Sequence, residues 1–147
     1  AEALREALDG LRRGELAPQP QDDALAPYAA KLDKAEAELD WQRPVALLDR
    51  QVRAFNPWPV AFSRGAGEPL RIWRARPGGS TDQPAGRVVV TETGEPAVAA
   101  GDGRLLVLEE IQPPGRKRMA GADALRGGYL AAGQGLGAAG AAVGQSE

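Results

Sequence analysis

The sequence predicts a mainly β domain with short helices, a small barrel of five to six strands preceded by a linker and a short helix. Three observations carry that expectation. Five β-prone runs follow one another between residues 58 and 111, separated by turn residues rich in glycine and proline. One of them, Gly86–Thr93, alternates from Val88 onward and is rich in β-branched side chains. Gly101-Asp102-Gly103 joins two runs with a strong hairpin signal, and five short strands at such spacing fit a closed or partly closed barrel.

The elements follow in chain order. Residues 1–16 hold Leu4, Leu8 and Leu11 at i, i+4 and i+7, a short amphipathic helix weakened by Gly10 and closed near Gly14. A helix this short is marginal alone, and we read it as the trailing helix of a preceding domain outside this chain. Residues 17–40 read as an interdomain linker, acidic and punctuated by proline over 17–27. Its later part is weakly periodic, with Tyr28, Leu32, Leu39 and Trp41 as apolar anchors and a helical turn at 33–38. Pro44 then suits a first helical position, and Val45, Leu48, Val52 and Phe55 fall on one face. Arg43, Arg50 and Arg53 fall roughly opposite. Asn56 and Pro57 stop that helix, and Pro59 carries the chain into a strand. Trp41, Phe55, Trp58 and Phe62 are expected to pack around this joint.

Strands are expected at 58–63, 70–76, 86–92, 96–100 and 104–111. Strict alternation places Arg74 and Arg76 on one face of the second strand and Arg71 with Trp73 on the other. The same rule sends Glu109 and Glu110 to opposite faces, so they are not a paired acid–base site. Gly101-Asp102-Gly103 lacks the spacing of a phosphate-binding glycine loop and reads as a turn. A short helix near 121–126 ends the domain, which spans 41–132, and the Gly/Ala-rich residues 133–147 read as a flexible tail.

Composition narrows the chemistry. The 147 residues contain no cysteine, hence no disulfide or thiolate metal site, and no histidine, the commonest general base near neutral pH. The acids form no convincing metal cluster. With no signal-peptide pattern and no apolar run of about 20 residues, the expected location is cytoplasmic. The net charge of −2 hides an uneven distribution: residues 1–40 carry −5, 41–76 carry +5, 77–110 carry −4 and 111–147 carry +2. The two basic segments supply the candidate binding residues. In residues 113–119, Arg116, Lys117 and Arg118 sit on a Pro-Gly loop able to present three cations to one phosphate backbone. Arg43, Arg50 and Arg53 form a second basic face on the helix.

Two stretches together, AELDWQRPVALLDRQVRAFNPWPVAF and AAGDGRLLVLEEIQPPGRKRM, closely resemble the C-terminal region of the bacterial methionyl-tRNA formyltransferase family. The likeness runs from about Tyr28 to Gly137 and rests on the order and spacing of Asp-Trp, Phe-Asn-Pro-Trp-Pro, Gly-Asp-Gly and Gln-Pro-x-Gly followed by bases and Met. The resemblance implies an OB-like Greek-key barrel that binds tRNA. In that family an N-terminal Rossmann-like domain binds 10-formyltetrahydrofolate, carries an Asn-His-Asp catalytic set and formylates initiator Met-tRNA. Lacking histidine, this chain cannot hold that set, so no catalytic, cofactor-binding or metal residue is assigned and the chain alone is expected to be inactive. Its expected role in translation initiation is to position initiator Met-tRNA, with the N-terminal formyltransferase domain as its other partner. The alternative is a non-RNA support domain of a related formyltransferase acting on a sugar amine or a folate. Two departures from the family stand out. The linker is acidic where a tRNA-binding linker would be basic, and Gln42 replaces the Ser that often caps the helix.

Overall fold

The computed structural model describes residues 2–17, 19–26, 31–65 and 68–137. They fall in two compact units, residues 1–31 and 32–147. In the first, α1 (Glu2–Arg12) is the expected helix, and it runs through Gly10. A Cβ at Gly10 would meet the Leu16 side chain, so the glycine lets the exiting chain fold back onto the helix. Gly14 adopts φ +73° just beyond the helix end. Tyr28 lies outside the described residues.

The second unit contains α2 (Val45–Ala54), β1 (Ala61–Ser63), β2 (Leu70–Ser80), β3 (Val88–Val90), β4 (Pro96–Ala99), β5 (Arg104–Gln112), β6 (Met119–Ala120) and α3 (Gly121–Arg126). The sheet is antiparallel throughout, in the order β1-β2-β5-β4-β3, with β6 on β5. β3, β4 and β5 form a meander and β2 returns beside β5, which is Greek-key order. The expected barrel is not closed, because among the described residues β1 and β3 remain edge strands that do not pair with each other.

Irregular chain covers both edges. Leu39 donates its N–H to the Phe62 carbonyl at 2.8 Å, beside β1. On β3, Val88 N–H reaches the Gln134 carbonyl and Gly133 N–H reaches Val88 O, each at 2.8 Å. Leu136 N–H bonds Gly86 O at 2.8 Å, and Gly137 N–H bonds Arg64 O next to β1. Residues 133–137 are therefore packed structure and not the start of a loose tail, and Leu136 is 1% exposed. The rest of the expected tail, 138–147, lies outside the described residues.

The second unit also begins earlier than residue 41. Leu39 is 2% exposed within the main core, and Gln51 of α2 donates to the carbonyls of Glu36 and Glu38 at 2.7 and 3.0 Å. Residues 32–40 are thus the first layer of the domain. Asp33 caps their 3-10 turn, Lys34–Ala37, and a reciprocal bond from its own N–H to Glu36 completes a capping box. Trp41 is buried, and its indole N–H donates to Ser63 Oγ at 2.8 Å. That bond satisfies Ser63, the one fully buried polar residue among those described.

The apolar face read on α2 is the buried one, with Val45, Leu48 and Val52 packed against Leu70, Ile72, Leu106, Leu108 and Ile111. The turn beyond α2 differs from expectation. Val60 N–H bonds the Phe55 carbonyl at 2.9 Å, closing residues 55–60 on themselves, so the strand starts at Ala61 and not at Trp58. Trp58 is 56% exposed, outside the joint it was expected to fill.

The start of α2 has no cap from its own sequence, but one arrives from the β4–β5 turn. Asp102 Oδ2 accepts the Val45 N–H at 3.1 Å, and Gly101 N–H donates to Arg43 O at 3.2 Å. A Cβ on Gly101 would overlap the Gln42 carbonyl, and Gly103 holds φ +71°. The Gly-Asp-Gly sequence is a turn and also a clamp on the helix. Asp102→Ala is expected to lower unfolding free energy by about 1 kcal/mol, and Gly101→Ala by more, since the helix start must move aside. Urea unfolding of the two variants checks both values, and an unchanged Gly101→Ala midpoint would contradict the clamp.

Candidate nucleic-acid interface

The position of the outward-facing side chains follows from the pairing of β2 with β5. Ile72 pairs with Ile111, Arg74 with Glu110 and Ala75 with Leu108, so Trp73 and then Glu109 are extra residues in the ladder. The core-facing series accordingly runs Leu70, Ile72, Ala75 on β2 and Leu106, Leu108, Ile111 on β5. Arg71, Trp73, Arg74 and Arg76 all turn away from this core, as do Glu109 and Glu110. Strict alternation had split both sets between two faces; the paired irregularities bring each set to one.

Ion pairs then form across the outer face. Arg74 meets Glu109 at 3.3 Å, and Arg76 meets Glu109 at 3.3 Å and Glu95 at 2.7 Å. Arg118 meets Glu110 at 2.9 Å. Arg71 has no ion pair among the described residues and lines a hollow of about 160 Å³ with Glu68, Gln112, Pro113 and Gly115.

Of the candidate cations, Arg116, Lys117 and Arg118 project from the loop between β5 and β6. Arg116 N–H bonds Pro113 O at 3.1 Å, and Gly115 takes φ +66° to complete the bend. The Arg118 guanidinium lies 3.8 Å from the centre of the Trp73 ring, and the Arg116 guanidinium 5.0 Å from that of Tyr129. Lys117 is exposed and has no partner among the described residues.

On α2, Arg53 pairs with Asp49 at 3.0 Å while Arg50 is exposed and unpaired among the described residues. The helix end meets the loop at Trp73, where Asn56 Nδ2 donates to the Trp73 carbonyl at 2.8 Å. Arg43 is not part of this group. It precedes α2, about 15 Å along the axis from Arg53 at 1.5 Å per residue, and sits beside the Gly-Asp-Gly turn. There it lines a separate hollow of about 410 Å³ with Glu36, Glu38 and Gln51.

Tyr129 and the Asn56–Trp73 bond had no signal in strand or helix periodicity. The grouping on one face did: apolar spacings of two and then three, at 70-72-75 and 106-108-111, mark the extra residues.

This surface and sheet define a class, a small antiparallel β domain with a cation-bearing outer loop. The chain belongs to the formyl transferase C-terminal domain family, whose model matches residues 31–128. It is 48% identical over 124 residues to the methionyl-tRNA formyltransferase of Hydrogenovibrio crunogenus, covering 83% of this chain and 39% of that protein. It is 51% identical over 125 residues to that of Thiobacillus denitrificans, covering 84% and 40%. The chain thus spans about two fifths of the length of the curated relatives it matches. The fold also recurs in HypX from Aquifex aeolicus in complex with tetrahydrofolic acid, with TM-score 0.61 at 21% identity over 88% of this chain and 23% of that one. At that identity the likeness is one of fold alone. This chain contains no histidine, and its residues do not fit a formyl-transfer centre built on one. Among the described residues no helix is long and apolar enough to cross a membrane.

The Thr93 hydroxyl and the Arg76 guanidinium, both hydrogen-bonded to Glu95, hold its carboxyl below the usual carboxylate range. A depressed pKa stabilises the fold above the unfolded value and loses that contribution as pH falls through the folded value. Wild type should therefore exceed Glu95→Gln in stability at neutral pH, with the gap closing as pH falls below the ordinary Glu value of about 4.3. Urea midpoints measured across that range check it; a pH-independent gap would contradict it.

Proposed function

We propose that this chain is the tRNA-holding part of a methionyl-tRNA formyltransferase. It would position initiator Met-tRNA while a separate domain transfers the formyl group from 10-formyltetrahydrofolate, and a cytoplasmic location belongs to the same reading. The observation that supports it best is the meeting of two basic elements at Trp73, the end of α2 through Asn56 and the β5–β6 loop through Arg118. Arg50, Arg53, Arg116, Lys117 and Arg118 form the main contact set, and Arg43 is a second contact at the far end of the helix.

The ion pairs of Arg53 and Arg118 are compatible with this role. Both arginine side chains keep substantial exposure, 66% and 45%. Exposed pairs of this kind contribute about 0–1 kcal/mol, so a phosphate can replace the carboxylate at little cost. The domain's contribution to rate is placement of the acceptor end, since fixing a reactant near the chemistry removes translational and rotational freedom from the barrier.

The test is titration of an initiator tRNA transcript at about 50 and 200 mM salt, where counterion release makes affinity fall steeply. Reversing Arg116, Lys117 and Arg118 to glutamate is expected to weaken binding at least tenfold and to reduce the salt slope by about 3; the urea midpoint falls modestly, because Arg118 leaves Glu110 and Trp73, with the chain still folded. Affinity indifferent to salt and to this reversal would instead favour the support-domain alternative.

A further inference from the structure

Three neighbouring cations on one loop repel one another and, on flexible side chains, would lose much freedom on binding. Two of them are already held. The Arg118 guanidinium stacks on Trp73 and bonds Glu110. The Trp73 ring is fixed in turn, its indole N–H donating to Gln112 Oε1 at 3.2 Å. Gln112 Nε2 donates to the Arg116 carbonyl at 2.9 Å, tying the loop backbone to the same ring. Arg116 places its guanidinium over a different ring, that of Tyr129. That ring is 40% exposed and lies against Gly127, where a Cβ would fall 2.7 Å from Tyr129 Cε2. Between these two arginines in sequence is Lys117, exposed and with no partner among the described residues.

We infer that Trp73 and Tyr129 are positioning residues for RNA binding. Each aromatic face pre-orders one guanidinium of the loop, spreading Arg116 and Arg118 so that, with Lys117, they meet successive phosphates of one RNA strand. This deepens the proposed tRNA-holding role and rests on it. Neither ring need touch RNA; each acts through the arginine it carries, and Lys117 is the direct contact with nothing to give up.

The test uses the whole 147-residue chain and an initiator tRNA transcript. Tyr129→Leu and Trp73→Leu are each expected to weaken binding about two- to fivefold, with the salt slope unchanged because the charges remain. Tyr129→Phe, which keeps the ring face, should bind as wild type. Lys117→Gln should reduce the salt slope by about 0.9. Tyr129 is exposed, so its variants stay informative if Trp73→Leu fails to fold. Wild-type affinity in Tyr129→Leu, or a Tyr129→Phe variant as weak as Tyr129→Leu, would overturn the inference. If Arg116, Lys117 and Arg118 can be reversed without loss of binding, the tRNA-holding role itself fails and the inference falls with it. If that reversal weakens binding while Tyr129→Leu does not, only the inference falls.

Discussion

Between Ile72 and Ala75 on β2, and between Leu108 and Ile111 on β5, each strand carries one residue more than a two-residue repeat accommodates. The two extra residues are offset by one step, so the register is lost and regained within a single turn of the pleat. A one-residue slip would otherwise drive every later side chain to the wrong face. Instead the core resumes with Ala75 and Ile111, and the outer surface gains Trp73, Arg74, Glu109 and Glu110 side by side. The ion-pair ladder from Arg118 to Glu95 and the stacking of Arg118 on Trp73 both depend on this local geometry.

The helix that completes the surface is held from both ends by groups distant in sequence. At its start, Asp102 and Gly101 fix the first turn to the β4–β5 hairpin. At its end, Asn56 reaches the backbone of β2. Buried Val45, Leu48 and Val52 then leave little freedom for the helix to slide or rotate over the sheet. Rigid support of this kind suits the proposed positioning role, in which a small displacement of the contact residues would displace the whole bound molecule. Gly121 is a parallel case at α3: a Cβ there would overlap the Leu108 carbonyl, so only glycine lets that helix approach β5.

Much of this was legible in the sequence. The periodicity of Val45, Leu48 and Val52 gave the buried face of α2, and the β-branched runs gave the strands to within a few residues. The readings that failed share a physical cause, dependence on contacts between segments far apart. Gln42 looked like a lost cap because the replacement comes from Asp102, 57 residues beyond Val45. Trp58 looked like core because it is large and apolar, yet the turn closed by Val60 and Phe55 leaves it in solvent. The glycine-rich residues 133–137 looked loose because glycine and alanine bury little. Their anchoring comes from backbone bonds to the strand edges, from the Arg87 guanidinium donating to the Gly133 carbonyl and from buried Leu136. The barrel, expected to be closed or partly closed, is an open sheet for a related reason, since these irregular segments occupy the edges that closure would have joined. The basic loop was found from composition, but the way its cations are spread depends on Trp73 and Tyr129, which no local pattern links to it.

The proposed tRNA surface is made by the β5–β6 loop, the outer face of β2 near Trp73 and the end of α2. The most direct measurement is a backbone amide chemical-shift map of the chain during titration with an initiator tRNA transcript. Perturbations concentrated at residues 50–58, 71–74 and 112–118, fading as salt is raised, are what the account predicts. Shifts confined to the groove at the far end of the ion-pair ladder, near Val89, Thr91 and Leu105, or a spectrum that tRNA leaves unchanged at low salt, would contradict it.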